Sequence, residues 1–241
     1  MEQNLIVSSR HPGESLANYC YRVLYYNILH LRLPPNSIIN EAEIAEALGV
    51  SRTPVHEAVS QLKEEALIDI LPRKESRVSR INLPQVCEGV FIRTSLEPKI
   101  VLQIIGKVSE EMQQQMKKCL DMQKAILDSH QNTHEYYVHD RAFHELLFKA
   151  AGKEHVHELS RMANLHSLRV SYLIEFDQSF FNAIEYSSIE EHQILFDVIT
   201  EKRPLDFDLH QFLYNHISRF QNFFEPYIEH YPDFFTFTEE D

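Results

Sequence analysis

The sequence predicts a mainly α-helical protein in two parts: three helices with a hairpin, and then an antiparallel bundle of helices. The chain has 241 residues, which is enough for two modest domains with a core each. It contains only 5 glycines, whereas doubly wound sheets and small β-barrels use glycine at many of their turns. From Pro84 to about Tyr231 the apolar residues recur with helical periodicity almost without interruption.

The acidic residues are concentrated in the second part of the chain. The formal net charge is −13, which taken alone argues against binding to nucleic acid. Residues 1–80, however, hold 9 basic against 10 acidic residues, while residues 81–241 hold 14 against 26. This contrast predicts two domains with different partners. The short basic run at 73–80 would offer DNA a positive edge.

The composition excludes several classes of protein. Apolar residues make up 44% of the chain, a globular figure that excludes a disordered chain. No run of about 18 apolar residues and no charged leader before an apolar segment occurs, so we expect neither a membrane-spanning nor a secreted protein. The three cysteines are scattered and form no CxxC pattern, which predicts reduced, buried thiols in a cytoplasmic protein. They are Cys20, Cys87 and Cys119.

Two helices open the first part. The first is predicted at residues 15–33, and the Pro34-Pro35 pair ends it. The second is shorter and occupies 41–48. Asn40 followed by Glu43 gives it a start that resembles a capping box, and the glycine that follows it is placed to end it in a left-handed conformation.

A third helix is predicted to begin at Ser51, which can cap it. It accommodates Pro54 in its first turn, where the missing N–H is not needed. The spacing of its apolar residues predicts one exposed side, which begins with Arg52, Thr53 and His56. The opposite, buried side consists of Val55, Ala58, Val59 and Leu62.

A short hairpin completes this unit, with β-like runs at 67–72 and 76–81. Helices joined by a tight glycine turn and followed by a hairpin predict a winged helix-turn-helix. In such a unit the start of the third helix enters the major groove of DNA, and the hairpin can reach the neighbouring groove or backbone. The candidate DNA-contacting residues are therefore Arg52, Thr53, His56, Arg73, Lys74 and Arg77.

Residues 41–81 resemble the winged helix-turn-helix of the GntR family of bacterial transcription regulators. The resemblance is carried by LGVSRTPVxEAxxxLxxxxLI, which begins at Leu48, and it extends over nearly all of residues 15–81. The chain departs from the family pattern at His56, where arginine is usual, and at Glu75, where glycine is usual. A winged helix that serves only protein contacts is the alternative interpretation.

The second part is predicted to be an all-α bundle of six helices, with breaks at two Gly-Lys pairs and at Arg203-Pro204. The aromatic and acidic tail at 231–241 is expected to pack against this bundle or to fray. The predicted helices lie near 84–105, 109–128, 133–151, 155–174, 187–201 and 205–228.

Four polar residues of this bundle fall on apolar helix faces. Asp140 and His144 lie one turn apart on the same face of one helix, and His192 and His216 lie on the apolar faces of two others. Their burial is costly unless they find partners. One divalent metal would satisfy all four, because neutral imidazole and carboxylate are ligands of Zn, Ni, Mn and Fe. The alternative is that each histidine hydrogen-bonds separately to a carboxylate or a backbone carbonyl.

Residues 84–230 also resemble the effector-binding helical domain, called FCD, of the FadR-type subfamily. The resemblance is carried by FIRTSLEP at 91–98, DRAFHELLFKAAG at 140–152 and EEHQILFDVI at 190–199. In metal-binding members the ligands are an Asp-x3-His pair and two later histidines. The resemblance therefore implies a site for a divalent transition metal, zinc before nickel, manganese or iron, at Asp140, His144, His192 and His216.

Arg93 is expected to point into the bundle, because it shares a helical face with Val90 and Ile100. A buried arginine needs an anion, and Glu97, one turn away, is one candidate. The resemblance implies another, the carboxylate of a small organic acid that acts as effector. Two weaker candidates for lining the same cavity are Asn164 and Arg169.

These expectations combine into a metabolite-responsive repressor that binds a pseudo-palindromic operator as a homodimer. Its domains are predicted at 10–81 for DNA and at 84–230 for metal and effector, followed by the tail. The competing hypothesis is a metal-dependent hydrolase with Glu145 or Glu191 as general base. The chain has no GxSxG, no HExxH and no phosphate-binding glycine loop, which favours the regulator.

Overall fold

The computed structural model describes residues 5–70, 75–129, 133–176 and 178–237. The chain forms two compact units, one that combines Met1–Pro84 with Tyr227–Asp241 and one that consists of Gln85–Pro226. The order of elements confirms the predicted fold class, a winged helix-turn-helix followed by a helical domain. In the described ranges, none of the helices combines the length and apolarity that crossing a bilayer requires.

The first unit contains three helices, α1 (Leu16–Leu29), α2 (Glu41–Leu48) and α3 (Arg52–Glu64). α1 ends earlier than the predicted residue 33, because the backbone turns into the left-handed region at Leu31, with φ of +55°. The proline pair restricts mainly the residue before it, so it limits the helix without fixing its last turn.

The turn between α2 and α3 follows the predicted pattern. Asn40 Oδ1 accepts hydrogen bonds from the backbone N–H groups of Ala42 and Glu43, at 3.1 and 3.4 Å. Gly49 has φ of +65° and ψ of +35°, a conformation that glycine adopts without strain. Ser51 precedes α3 in an extended conformation, but its side chain makes no capping hydrogen bond, which corrects the predicted role of its hydroxyl.

A three-stranded antiparallel sheet completes the winged domain, with strands β1 (Ile38–Ile39), β2 (Ile68–Ile70) and β3 (Ser76–Val78) in the order β1-β3-β2. β2 and β3 pair as the predicted hairpin, and β3 ends at Val78, earlier than the predicted residue 81. β1 was not predicted, because two residues are too few to show strand alternation. The predicted apolar side of α3 is buried, and the core of this unit includes Val23, Leu24, Ile28, Ile44, Val55, Val59, Leu62, Ile68 and Val78.

The C-terminal tail belongs to this first unit. Strand β4 (Ile81–Asn82) pairs in parallel with β5 (Phe235–Thr236), and Phe235 is buried beside Ile81. The tail was expected to pack against the bundle or to fray. A two-residue parallel pair leaves no pattern in the sequence that could have indicated its true partner.

The second unit is a helical bundle. The predicted helix at 155–174 is divided at Asn164, which caps the C-terminal end of one helix before the next begins. The predicted helix at 205–228 is also divided, by a 3₁₀ turn at Arg219–Phe223. The helices are α4 (Leu83–Ile104), α5 (Glu110–Ser129), α6 (Thr133–Ala150), α7 (Glu154–Ala163), α8 (Leu165–Phe176), α9 (Gln178–Ile199), α10 (Leu209–Ser218) and, leading back to the first unit, α11 (Phe224–His230).

The bundle core contains side chains from α4, α5, α6, α9 and α10, among them Val101, Leu120, Leu147, Leu195 and Leu213. Two of the cysteines are buried as predicted, but Cys87 is exposed. It lies near the start of α4, on a side of the helix that the core does not cover.

Candidate metal centre and nucleic-acid interface

Three buried histidines meet inside the bundle. His144 is on α6, His192 on α9 and His216 on α10, so three helices each supply one imidazole to a common point. The Nε2 atom of His192 lies 3.2 Å from Nε2 of His144 and 3.1 Å from Nε2 of His216. The remaining pair, His144 and His216, is separated by 3.3 Å between its Nε2 atoms. The structure thus brings together all three histidines that the sequence singled out.

The other ring nitrogen of each histidine has its own acceptor. His144 Nδ1 donates to Glu97 Oε2 at 2.9 Å, and His216 Nδ1 donates to Glu191 Oε2 at 2.8 Å. Both acceptors are carboxylates. The third acceptor is an amide, because His192 Nδ1 donates to Oε1 of Gln123 at 3.2 Å. These contacts place the proton of each neutral imidazole on Nδ1.

All three Nε2 atoms therefore present lone pairs to one another. Burial lowers the pKa of His192 well below its ordinary value, and the neighbouring histidines lower it further. Burial also lowers the pKa of His216, although the hydrogen bond to Glu191 opposes this effect. Three converging lone pairs in a buried site repel one another unless a cation lies between them.

The spacing of the nitrogens suits such a cation. Nitrogens bound at about 2.0–2.1 Å to a tetrahedral zinc ion are about 3.3 Å apart, close to the 3.1–3.3 Å between the three Nε2 atoms. Neutral imidazoles held by carboxylates through Nδ1 are the arrangement typical of metal-binding histidines. The donor set thus fits a divalent transition metal.

Asp140 lies at the edge of this cluster. Its Oδ1 is 3.6 Å from His192 Nε2, and the same oxygen accepts a hydrogen bond from Gln123 Nε2 at 3.4 Å. The carboxylate is 20% exposed, whereas the His192 side chain is fully buried. Asp140 thus lies beside His192 but outside the group of three residues whose ligand atoms all lie within 4.8 Å of one another. Its place as a fourth ligand stays a prediction.

Two arginines lie behind the carboxylates that hold the histidines. Arg93 Nε donates to Glu97 Oε1 at 2.7 Å, and Arg219 donates to Glu191. Burial alone would raise the pKa of Glu97, but the charge of Arg93 and the hydrogen bonds from Arg93 and His144 outweigh it and hold that pKa well below its usual range. The pKa of Glu191 is lowered in the same way, against burial, by His216 and Arg219.

Arg93 therefore has the internal partner that the sequence offered as one of two candidates. Glu97 binds Arg93 with one oxygen and His144 with the other, so this carboxylate joins the arginine to the histidine cluster. The Arg93 side chain is 28% exposed. No hydrogen bond from its Nη1 or Nη2 occurs among the residues that the structure describes.

Asn164 and Arg169, the weaker effector candidates, lie at the start of α8. The Asn164 amide donates to the backbone carbonyl of Ser160 at 2.7 Å. Gly89 of α4 lies so close that a Cβ atom there would be 2.5 Å from Asn164 Oδ1, so any side chain at this position would displace that of Asn164. Arg169 is fully buried. Their part in binding an effector stays a prediction.

No role in the site was predicted from the sequence for Gln123 or Arg219. Nor was Glu97 predicted to be a partner of a histidine. Gln123 lies on the apolar side of α5 with Met116 and Leu120. A buried amide on an apolar helix face is a signal that the sequence does contain. Its partners could not be identified without the packing of α5 against α6 and α9.

The candidate DNA-contacting residues of α3 are exposed. Arg52 and Thr53 stand at its first turn, and His56 follows one turn later. His56 Nδ1 lies 3.1 Å from Glu41 Oε1, and the His56 side chain is 65% exposed. The start of α3 therefore presents a guanidinium, a hydroxyl and an imidazole to solvent.

The wing is described only in part. Arg73 and Lys74 lie outside the described residues. Arg77 Nη1 donates to the backbone carbonyl of Asn36 at 2.8 Å, and Arg77 also pairs with Glu75. Both contacts hold Arg77 on the protein surface, so its contact with DNA stays a prediction.

Comparisons with known proteins agree with both parts of the chain. Residues 17–78 match the bacterial regulatory proteins of the gntR family, and residues 88–217 match the FCD domain. The HTH-type transcriptional repressor RspR of Escherichia coli is 31% identical over 140 residues. That match covers 58% of this chain and 61% of RspR, so the chain spans less than two thirds of that relative.

Two further matches cover more of the chain. An HTH-type regulator from an unstable DNA locus of Streptomyces ambofaciens is 28% identical over 75% of this chain and 74% of its own. The solved structure of Escherichia coli McbR/YncC has a TM-score of 0.67 with 17% identity, over 90% of this chain and 99% of that one. It supports the fold alone.

These matches also decide against the hydrolase. Glu145, one candidate base, is exposed on α6, and Glu191, the other, is paired with His216 and Arg219. The matched families consist of transcriptional regulators and not of enzymes. The chain belongs to the GntR family of transcriptional regulators and carries an FCD domain.

Proposed function

We propose that the protein is a cytoplasmic, homodimeric repressor whose helical domain binds a divalent metal and, at that metal, a small organic acid. The observation that carries this proposal is the convergence of three buried Nε2 atoms within 3.1–3.3 Å of one another. Three relatives, RspR among them, are named repressors, which supports the direction of regulation.

Four residues would hold the metal, namely Asp140, His144, His192 and His216. Zinc is the first candidate, because three neutral imidazoles and one carboxylate suit its tetrahedral preference, while nickel, manganese and iron accept the same donors. When bound, the metal supplies a Lewis-acidic centre for a carboxylate oxygen of the effector.

Arg93 supports the choice of a carboxylate as effector. Its Nε is occupied by Glu97, but guanidinium groups have five N–H donors and bind carboxylates in a bidentate manner. The side chain is partly exposed, so the rest of its donors can meet an acid that enters the site. Asn164 and Arg169 are proposed to line the same cavity.

DNA binding is assigned to the winged domain. Arg52, Thr53 and His56 would enter the major groove, with Arg73, Lys74 and Arg77 near the backbone. A homodimer would place two such helices on a pseudo-palindromic operator. The effector can shift the DNA-bound population only by the difference in its affinity for the two arrangements of the dimer.

The experiment combines binding to ligand and to DNA. Purified, zinc-loaded protein is mixed with a panel of small organic acids, and its melting temperature is recorded. An acid at 100 times its Kd should stabilise the fold by about 2.7 kcal/mol. The same acid should then change the fraction of operator DNA shifted at fixed salt. The proposal fails if acids that raise the melting temperature leave DNA binding unchanged.

A further inference from the structure

Of the three residues that accept hydrogen bonds from the Nδ1 atoms of the histidines, Gln123 is the uncharged one. Its side chain is fully buried on α5, on the side of the helix that also buries Met116, Cys119 and Leu120. A buried amide in such surroundings is costly unless its oxygen and its nitrogen both find partners. Both partners are residues of the proposed metal site.

The oxygen and the nitrogen of the Gln123 amide have opposite hydrogen-bonding roles. Oε1 accepts the hydrogen bond from His192 Nδ1 at 3.2 Å. Nε2 donates to Asp140 Oδ1 at 3.4 Å. The reverse orientation would place the amide N–H groups against the Nδ1–H of His192 and the amide oxygen against a carboxylate. Only one orientation satisfies both neighbours.

The replacements closest in shape, namely glutamate, methionine and leucine, cannot do both. Glutamate would accept from His192 but would repel Asp140, because a carboxylate offers no hydrogen to donate. Methionine or leucine would satisfy neither neighbour. Glu97 and Glu191, the partners of the other two histidines, accept from one histidine each and are neutralised by an arginine. Gln123, by contrast, joins two proposed metal ligands, His192 and Asp140.

We infer that Gln123 is a positioning residue of the metal centre, which fixes His192 in the tautomer that ligates through Nε2 and aims the Asp140 carboxylate at the same point. Gln123 does not itself bind the metal. This inference rests on the proposed metal site and adds to it a residue on which metal affinity depends.

The test compares Gln123→Met with Gln114→Met, an exposed glutamine on the same helix. The zinc affinity of each full-length variant is measured by competition with a chromophoric chelator, at a temperature where circular dichroism shows both to be folded. Loss of a residue behind the ligands typically weakens metal binding by about 10–100-fold. We expect that loss for Gln123→Met and less than about a two-fold change for Gln114→Met.

A second readout separates positioning from packing. In the metal-free protein, ¹⁵N shifts of the His192 ring should indicate the Nδ1–H tautomer in the wild type and in Gln123→Glu, which keeps the acceptor. In Gln123→Met the same ring should show a mixture of tautomers. A residue with a merely structural role would change the melting temperature without this change in tautomer.

The outcomes distinguish a failure of the metal site from a failure of the positioning role of Gln123. If Gln123→Met binds zinc as tightly as the wild type while His192→Ala does not bind it, the positioning role is wrong and the metal site stands. If the wild type itself binds no zinc, the metal site is wrong, and the inference about Gln123 falls with it.

Discussion

The two units place their functional polar groups in opposite surroundings. At the start of α3, Arg52, Thr53 and His56 are exposed to solvent, and of the three His56 has a neighbour on the protein, Glu41. In the bundle the three histidines are buried, and each has a partner at Nδ1. An exposed side chain needs no fixed geometry before it meets its ligand, whereas a buried one does.

This difference implies that the two sites respond differently to substitution. Changes at Arg52 or Thr53 should alter DNA affinity and leave folding intact, because both side chains are exposed at the first turn of α3. Changes in the histidine cluster should alter metal binding and stability together. The winged domain has a core of its own, so its affinity for DNA should survive damage to the metal centre.

The largest expected effect is that of His192→Ala, since it removes the central histidine of the cluster. Metal affinity should fall by more than the roughly 100-fold upper range for residues behind the ligands, and the response to an organic acid should disappear. Zinc titration and a DNA shift assay measure the two effects. His210→Ala, an exposed histidine on α10, is the control and should change neither. If His192→Ala weakened DNA binding as much as it weakens metal binding, the two sites would not be independent.

Arg52→Ala comes next. If Arg52 contacts a base, operator binding should weaken by about 1–3 kcal/mol, while zinc affinity and melting temperature stay at wild-type values. Fluorescence anisotropy at physiological salt measures the affinity, and Arg32→Ala, exposed but outside α3, is the control. Unchanged operator affinity would remove Arg52 from the proposed interface.

Glu191→Gln sharpens the comparison by removing charge without removing volume. The amide can still accept from His216 Nδ1, but the imidazole loses a carboxylate that raises its basicity, so zinc should bind about 10-fold more weakly. Glu190→Gln changes the exposed neighbouring residue and should have no effect. Competition with the chelator measures the zinc affinity of both variants. If Glu191→Gln binds zinc as tightly as Glu190→Gln, Glu191 contributes only to packing.

The smallest effect is expected on the wing. Glu75→Gly removes a negative charge and releases Arg77 from its ion pair, so binding to DNA of any sequence should become a few-fold tighter. Because one more cation becomes available to phosphate, the slope of log affinity against log salt should steepen by about 1. If the affinity for DNA is unchanged or lower in Glu75→Gly, the hairpin does not lie against the DNA backbone.

The winged domain was largely predictable because its signals are local. Asn40, Gly49 and Pro54 each act on the backbone within a few residues, so their spacing determines the turn and the ends of the helices. The parallel pairing of β4 with β5 was not predictable, because it joins residues about 150 positions apart and has no pattern of its own.

The metal site was predictable only in its inner part. His144, His192 and His216 stand out as polar residues on apolar helix faces, and the family resemblance relates them to one another. Gln123, Glu97 and Glu191 are recognised only when α4, α5 and α9 are packed around α6 and α10. Hydrogen-bond partners between helices are a property of that packing and leave no spacing to read in the chain.

The central claim is that the three histidines hold a metal, and elemental analysis of the protein, purified without a histidine tag, tests it most directly. The claim predicts about one divalent transition metal per chain, as isolated or after reconstitution with zinc, nickel or manganese. Less than about 0.3 metal per chain after reconstitution would contradict it and would leave His144, His192 and His216 as a hydrogen-bonded part of the core.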